Sequence, residues 1–174
     1  MEPSFNEVLS TVNTFIFDVD GVINVGTVMV TTAGELIRTM NTKDGYALKV
    51  AVDAGYNVCI ISGGTNDGVK KRLQGLGVQD VFLGVHDKTE IFESYIKDHE
   101  LTPNNILFMG DDLPDYPLMN KVGLPCCPKD AVTEIKDISL YVSQKKGGKG
   151  CVRDVIEQEM KVQWNWNGMY NARY

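Results

Sequence analysis

The chain has no excess of positive charge and no long apolar run. Its 17 lysines and arginines are outnumbered by 23 aspartates and glutamates, so the formal net charge is −6. Binding to a nucleic acid needs a clustered basic surface, and this charge balance therefore argues against such a partner. No apolar stretch approaches the ~20 residues that span a bilayer. Residues 1–7 have neither the basic start nor the apolar core of a secretory signal. We therefore expect a cytoplasmic protein that binds no membrane.

Cysteine and histidine are also scarce, with four and two residues respectively. The cysteines lack the paired spacing of a zinc site and lie mostly in apolar segments, which predicts buried free thiols rather than disulfides. They are Cys59, Cys126, Cys127 and Cys151. His86 and His99 have no cysteine or acid at ligand spacing, so we interpret both as surface or helix-capping groups.

The sequence has no internal repeat and no linker, and its 174 residues fall within the size range of one domain. Apolar strand patterns alternate with helical ones, which is typical of a parallel sheet with crossover helices. We therefore predict a single three-layer α/β domain, Rossmann-like in its layering, over residues 1–174. The predicted strands include 57–61, 81–83 and 105–109, and the predicted helices cover 44–54, 67–76, 88–98 and 151–160.

Polar side chains follow several of these predicted strands directly. Asp18 and Asp20 follow the apolar run 15–17, and Ser62 follows the run 57–61. Lys88 opens a helix after the strand 81–83, and an acidic cluster at 110–115 follows the strand 105–109. An Asp-x-Asp-Gly string is also common in turns, where aspartate caps and glycine supplies a positive φ. Open α/β sheets bind ligands at the carboxyl ends of their strands, so this ordered set favours a metal site and a nucleophile instead.

These positions resemble the four motifs of the haloacid dehalogenase-like (HAD) phosphatase superfamily. Asp-Val-Asp-Gly-Val at 18–22 resembles the first motif, Ser62-Gly63 the second, Lys88 the third, and 110–115 the fourth. The chain is further similar to small-cap phosphatases that act on 3-deoxy-manno-octulosonate 8-phosphate (KDO 8-phosphate) and related nonulosonate 9-phosphates. The strings that carry this second resemblance lie at 41–46, 110–115, 121–123 and 147–153, and the similarity covers residues 12–158.

The resemblance implies a role for each matching residue. Asp18 would attack phosphorus, Asp20 would act as general acid and base, and Ser62 and Lys88 would bind the phosphoryl group. Mg²⁺, which prefers oxygen ligands, would be held by Asp18, the backbone carbonyl of Asp20, and Asp111. Asp112 and Asp115 would orient the metal waters and Lys88, although helix N-capping explains Asp112 equally well.

Four further residues are candidates for binding the substrate. Gly63 and Gly64 would cradle the phosphate. Lys149 and Arg153, in and after the glycine-rich stretch 147–150, would contact the carboxylate of the sugar, although the stretch could equally be a plain turn before a helix.

The segment 27–40 reads as a β-hairpin where this superfamily inserts its cap. Its apolar edges need a cover, and members of the similar subfamily join such hairpins into tetramers, so we expect a homotetramer. The aromatic tail, 162–174, is expected to pack on a surface, which could belong to a neighbouring subunit.

Two positions depart from the subfamily pattern and leave the sugar open. Gly64 stands where octulosonate phosphatases often have arginine and a nonulosonate branch has glutamate, and Asn24-Val25 stands where Thr-Asp is usual. The expected substrate is therefore KDO 8-phosphate, with a nonulosonate 9-phosphate as the alternative. A catalytically idle homologue that acts as an oligomerisation module is a third reading. A receiver domain fits less well, because its nucleophile lies on a later strand.

Overall fold

Six short strands of this computed structural model, which describes residues 5–166, form one parallel sheet. The strands of this sheet are β1 (Thr14–Phe17), β4 (Asn57–Ile61), β5 (Asp80–Phe82), β6 (Ile106–Met109), β7 (Leu124–Cys127) and β8 (Tyr141–Val142). Their order across the sheet is β5-β4-β1-β6-β7-β8, and every neighbouring pair is parallel. The first strand therefore lies in the middle, between β4 and β6.

Helices cover both faces of the sheet and make the predicted three layers. They are α1 (Phe5–Leu9), α2 (Thr42–Asp53), α3 (Asp67–Gly75), α4 (Lys88–Asp98), α5 (Tyr116–Met119), α6 (Thr133–Ile138) and α7 (Cys151–Val162). Alternate side chains of β1 enter two separate cores, because successive residues of a strand point to opposite faces. Phe15 and Phe17 pack with residues of α2, α3 and α7, whereas Ile16 packs with residues of α4, α5 and α6.

The predicted helices are confirmed with small shifts at their ends. Helix α2 begins at Thr42 rather than at residue 44, because the Asn41 side chain accepts hydrogen bonds from the backbone N–H groups of Lys43 and Asp44. The predicted strand at 105 begins one residue later, since Asn105 belongs to a 3₁₀ turn, Pro103–Asn105. The strand predicted at 81–83 runs instead over Asp80–Phe82.

The predicted hairpin is confirmed, but its strands are short. Strands β2 (Met29–Val30) and β3 (Leu36–Ile37) pair antiparallel and form a separate two-stranded sheet. All four of these side chains are exposed, along with Val28. The hairpin therefore adds almost nothing to the cores in the described part of the chain.

The four cysteines are free thiols and all are buried, as the sequence predicted. His99 lies at the carboxyl end of α4, where its ring packs against Tyr95 and approaches Asp80. Across residues 5–166, no helix combines the length and the apolar character that crossing a bilayer requires.

Only part of the aromatic tail lies within the described residues. Trp166 packs partly against the core and lies 5.6 Å from the Arg153 guanidinium carbon, whereas Trp164 is 80% exposed. The expectation that the tail packs on a surface thus holds for Trp166, and its remainder, 167–174, lies outside the described residues.

Candidate active site

The chain makes an irregular turn over Val19–Ile23, directly after the central strand β1. Asp18 is buried at the start of this turn, and its backbone N–H extends the sheet by one hydrogen bond to Met109. Gly21 has φ +88°, and a Cβ there would collide with the carboxylate of Asp111. A glycine is therefore required for the turn to approach the acidic cluster this closely.

Lys88 forms a buried bridge between two carboxylates. Its Nζ lies 2.8 Å from Oδ1 of Asp18 and 2.6 Å from Oδ1 of Asp115. The other oxygen of Asp115 accepts hydrogen bonds from the backbone N–H groups of Asp111 and Asp112. Asp115 therefore fixes both the lysine and the loop after β6, as a positioning residue should.

Asp112 serves the capping role that the sequence left open. Its side chain accepts a hydrogen bond from the Leu113 backbone and forms a capping box with Asp115 at the 3₁₀ turn Leu113–Asp115. Capping satisfies backbone donors at the start of the turn and so stabilises the loop that carries Asp111.

Asp18, Asp111 and Asp115 form a cluster that suits a hard divalent cation. One carboxylate oxygen from each lies within 4.8 Å of the others, so small side-chain adjustments would bring them to the separation of about 4.2 Å or less that Mg²⁺–O bonds of about 2.1 Å need. Burial, reinforced by neighbouring carboxylates, raises the pKa of Asp18 to about 6 and that of Asp111 to about 8. Lys88 lowers both pKa values but does not outweigh these two effects, whereas a bound divalent cation would favour the charged form of both acids, and carboxylate oxygens are ligands that fit Mg²⁺.

The charge of Lys88 is itself maintained by the two acids. Burial alone would lower its pKa, but Asp18 and Asp115 together outweigh burial and raise it. Lys88 is therefore a fixed cation beside the nucleophile candidate.

The loop after β4 carries the second predicted motif. Ser62 is buried, and its Oγ accepts a hydrogen bond of 3.3 Å from the Gly64 backbone. Backbone hydrogen bonds from Gly84 to Gly64 and from Val85 to Ser62 hold this loop against the loop after β5. The serine hydroxyl and the glycine backbone therefore lie in a loop that hydrogen bonds hold in place, which suits a site that binds phosphate.

The carboxylate of Asp20 makes contacts that the sequence analysis did not predict. Nε and Nη2 of Arg38, from the hairpin segment, donate to its two oxygens at 2.7 and 2.9 Å. The Asn24 side chain donates to Oδ1 at 2.6 Å. Hydrogen bonding from Arg38 is the main cause that lowers the pKa of Asp20.

These residues surround one open cavity of about 780 Å³ at the carboxyl edge of the sheet. Its lining includes Asp18, Asp20, Ser62, Gly63, Gly64, Lys88, Asp111, Asp112 and Asp115. The structure thus brings together nine of the eleven residues that the sequence indicated. His86 also lines the cavity and is exposed, which agrees with its interpretation as a surface group.

Lys149 and Arg153 lie elsewhere, on a second cavity of about 730 Å³ between the starts of α2 and α7. The glycine-rich stretch packs behind the turn after β1 instead of facing the acidic cavity. The Gly148 N–H donates to the Val22 carbonyl, and a Cβ at Gly147 would collide with the Gly21 carbonyl. A substrate contact from these two residues therefore stays a prediction that the geometry of the single chain does not favour.

Arg38 is the site residue that sequence reasoning missed. It follows Leu36 and Ile37 of a hairpin whose apolar residues are exposed, and nothing in its spacing indicates contact with Asp20. The available signal was weak: Arg38 is the single cation of the cap segment, 27–40.

The comparisons with known proteins agree with this geometry. No family model matches the chain. The chain is 34% identical over 142 residues to the 3-deoxy-D-manno-octulosonate 8-phosphate phosphatase KdsC of Escherichia coli K12, which covers 82% of this chain and 76% of that protein. The crystal structure of the phosphatase of the same name from Yersinia pestis has a TM-score of 0.91 at 29% identity, covering 94% of this chain and 88% of that one. The Moraxella catarrhalis phosphatase, solved with magnesium, phosphate and KDO, has a TM-score of 0.90 at 26% identity and covers 94% of both chains.

The parallel sheet, the acidic cluster and the bridging lysine define a phosphoric monoester hydrolase of the HAD type. Within that superfamily, the chain belongs to the 3-deoxy-D-manno-octulosonate 8-phosphate phosphatase family.

Proposed function

We propose that this protein is a Mg²⁺-dependent phosphatase of a sugar-acid phosphate, with KDO 8-phosphate as the expected substrate. The observation that carries the proposal is the meeting of Asp18, Lys88 and Asp111 at one edge of the sheet, in a chain whose relatives act on this compound. The ordered KDO in the Moraxella catarrhalis structure supports the same class of ligand.

The proposed reaction has two displacements at phosphorus. An oxygen of Asp18 forms a bond to phosphorus as the bond to the sugar oxygen breaks, which gives an aspartyl-phosphate and the free sugar. Water then attacks this phosphorus, phosphate leaves, and the Asp18 carboxylate is restored. The covalent route replaces one difficult hydrolysis by two easier steps.

The remaining residues stabilise negative charge and transfer protons. Asp20 donates a proton to the leaving sugar oxygen in the first step and accepts one from water in the second. Ser62 and nearby backbone N–H groups donate to the phosphoryl oxygens, while Lys88 offsets negative charge beside Asp18. Mg²⁺, held by Asp18, Asp111 and the backbone carbonyl of Asp20, would offset the charge of the phosphoryl group and the nucleophile together.

We further propose that the active species is a homotetramer assembled through the hairpin. Val28, Met29, Val30, Leu36 and Ile37 have relative exposures of 42 to 68%, and they form a contiguous apolar segment with unpaired strand edges. Such a surface is stabilised when a partner covers it. A small hairpin also closes the cavity poorly by itself, and a neighbouring subunit would help to exclude water. We also propose that residues 1–174 form one domain and that the protein acts in the cytoplasm.

The test is phosphate release from a panel of sugar phosphates in the presence and absence of Mg²⁺. The panel contains KDO 8-phosphate, a nonulosonate 9-phosphate and a neutral hexose 6-phosphate, and the Asp18→Asn variant is the matched control. We expect the highest kcat/KM for KDO 8-phosphate and loss of turnover with a chelator. Preference for the nonulosonate would select the alternative substrate. Absence of turnover on the whole panel would favour the idle homologue.

A further inference from the structure

The side chain of Arg38, in the hairpin segment, turns inward. Its side chain is only 7% exposed, although Leu36 and Ile37 just before it are 42% and 46% exposed. The guanidinium meets the carboxylate of Asp20 through two nitrogens, at 2.7 and 2.9 Å. This two-point geometry is the one by which arginine recognises a carboxylate with directional specificity.

Two other features of the structure determine where Arg38 lies. The Asn66 side chain, just after the second motif, donates to the Leu36 carbonyl at 2.7 Å and ties the hairpin to that loop. Gly64 leaves room for the guanidinium: a Cβ there would lie 3.2 Å from Nη2 of Arg38 and 3.3 Å from Oδ2 of Asp20. A side chain at residue 64 would therefore crowd both the guanidinium and the Asp20 carboxylate.

These contacts restrain the carboxylate of Asp20, which is proposed to transfer protons during the reaction. Arg38 occupies both of its carboxylate oxygens, and Asn24 makes a second contact with Oδ1. An oxygen of Asp20 must face the leaving oxygen of the substrate during proton transfer. Only one acceptor position, on Oδ2, is left by these three contacts, so transfer of the guanidinium to another acceptor would free the Asp20 carboxylate to face the leaving oxygen when substrate enters.

A sugar-acid phosphate brings such an acceptor. It carries a carboxylate besides its phosphate, and six aspartates but only one lysine are among the sixteen residues that line the cavity. Lys88 is already held between Asp18 and Asp115, so it is not available for a second anion. Arg38 already binds one carboxylate, that of Asp20, in the geometry that the carboxylate of a substrate would need.

We propose that Arg38 is a specificity residue that exchanges the carboxylate of Asp20 for the carboxylate of the sugar acid when substrate binds. The exchange gives the sugar acid a charge-assisted pair and releases Asp20 toward the leaving oxygen. A phosphate ester without a carboxylate leaves Arg38 on Asp20 and gains neither effect. This inference rests on the proposed function, because it needs a substrate that is a sugar acid.

The first test compares two substrates on Arg38→Ala and Arg38→Lys. We expect Arg38→Ala to lower kcat/KM for KDO 8-phosphate by about 10- to 100-fold, mainly through KM, since a charged hydrogen-bonded pair is lost. Turnover of a neutral hexose 6-phosphate should be unchanged or higher, because Asp20 is no longer held. Arg38→Lys keeps the charge without the fork and should recover part of the loss.

Two further variants serve as a control and as a second approach. Lys49→Ala removes a cation from the pair that Lys49 makes with Asp53 on α2, and should leave both substrates unaffected. Gly64→Val crowds the guanidinium and should shift the ratio between the substrates in the same direction as Arg38→Ala. If Arg38→Ala does not fold, the substrate ratio of Gly64→Val tests the proposal in its place.

A purely structural role for Arg38 predicts parallel losses on both substrates, mainly in kcat. That result, or an unchanged ratio, would overturn the proposal. Calorimetric binding of free KDO tests the same contact without turnover: wild type should bind it, and Arg38→Ala should bind at least about 10-fold more weakly. Failure of wild type to bind KDO overturns the inference, whereas binding without any turnover refutes only the proposed phosphatase function.

Discussion

Asp18 lies where negative charge is concentrated and where only one cation, Lys88, is bonded to it in the described residues. We predict that Asp18→Asn abolishes turnover, because the amide keeps the size of the side chain but is no nucleophile. Phosphate release measures the loss, and circular dichroism checks the fold. Turnover close to that of wild type would contradict the nucleophilic role.

Substitution of Asp20 should leave metal binding largely intact, because only the backbone oxygen of Asp20 is expected to bind the metal. We predict that Asp20→Asn lowers kcat on a sugar phosphate by about 10² to 10⁴ through loss of acid–base assistance. The loss should be much smaller with a nitrophenyl phosphate, whose leaving group departs without a proton. Mg²⁺ affinity, measured by calorimetry, should change little. Equal losses on the two leaving groups would argue against the acid role.

Glu159, on the inner face of α7, is a buried carboxylate outside the active site. Burial raises its pKa to about 8, although Tyr56 and Gln163 nearby act in the opposite direction. An acid with a raised folded-state pKa binds its proton more tightly in the folded protein. Its contribution to stability is therefore greatest below its unfolded pKa, about 4.5, and is lost as pH rises toward about 8.

We accordingly predict that Glu159→Gln raises the free energy of unfolding at pH 8, by up to a few kcal/mol at about 1.4 kcal/mol per pKa unit. At pH 4 the variant should differ little from wild type. Urea unfolding at both pH values measures the difference. The control is Glu93→Gln, an exposed carboxylate on α4 that should change stability by less than about 0.5 kcal/mol at either pH. A variant less stable than wild type at pH 8 would disprove this account.

Besides their packing in the core, helices α2 and α7 are linked by a buried carboxylate. Asp44 in α2 accepts hydrogen bonds from the backbone N–H groups of Gly150 and Arg153, at 3.1 and 2.8 Å, and so caps the start of α7. Gly150 itself has no side chain that could do this. The capping contact therefore comes from another element, far away in sequence.

We predict that Asp44→Asn lowers the free energy of unfolding by about 1 to 3 kcal/mol, because the amide NH₂ group of asparagine opposes one of the two N–H donors. Asp53→Asn, at the exposed end of α2, is the matched control and should change stability by less than about 0.5 kcal/mol. Denaturant unfolding at pH 7 compares the two variants. Similar effects from both would show that the contact with α7 contributes little.

The exposed hairpin is the proposed contact between subunits. We predict that changing Val28 and Val30 together to lysine dissociates the proposed homotetramer and lowers activity, because charges then oppose the burial of the exposed strand. Light scattering at the assay concentration measures the mass. Leu140→Lys, at an apolar residue outside the hairpin that is about as exposed as Val28, should leave the mass unchanged. A fully active wild-type monomer would exclude a role for the assembly in catalysis.

The fold and most of the candidate site could be predicted from local sequence. Apolar runs that end in Asp18, Ser62 and Asp111 indicated parallel strands with polar residues at one edge, and the structure places these residues around one cavity. The reason is that periodicity, turn residues and strand ends are properties of neighbouring residues, and the geometry of a parallel sheet then collects the strand ends.

Contacts between distant segments were decided only by the tertiary structure. The contact of Arg38 with Asp20 depends on how the hairpin folds back over the loop at Gly64, and no local pattern encodes that path. The position of Arg153 likewise depends on Asp44, which holds the start of α7 against α2 and away from the acidic cavity. The sequence by itself thus determined the sheet and the carboxylates at its edge, whereas chain packing decided which cation meets which carboxylate, because charges select partners by distance in space.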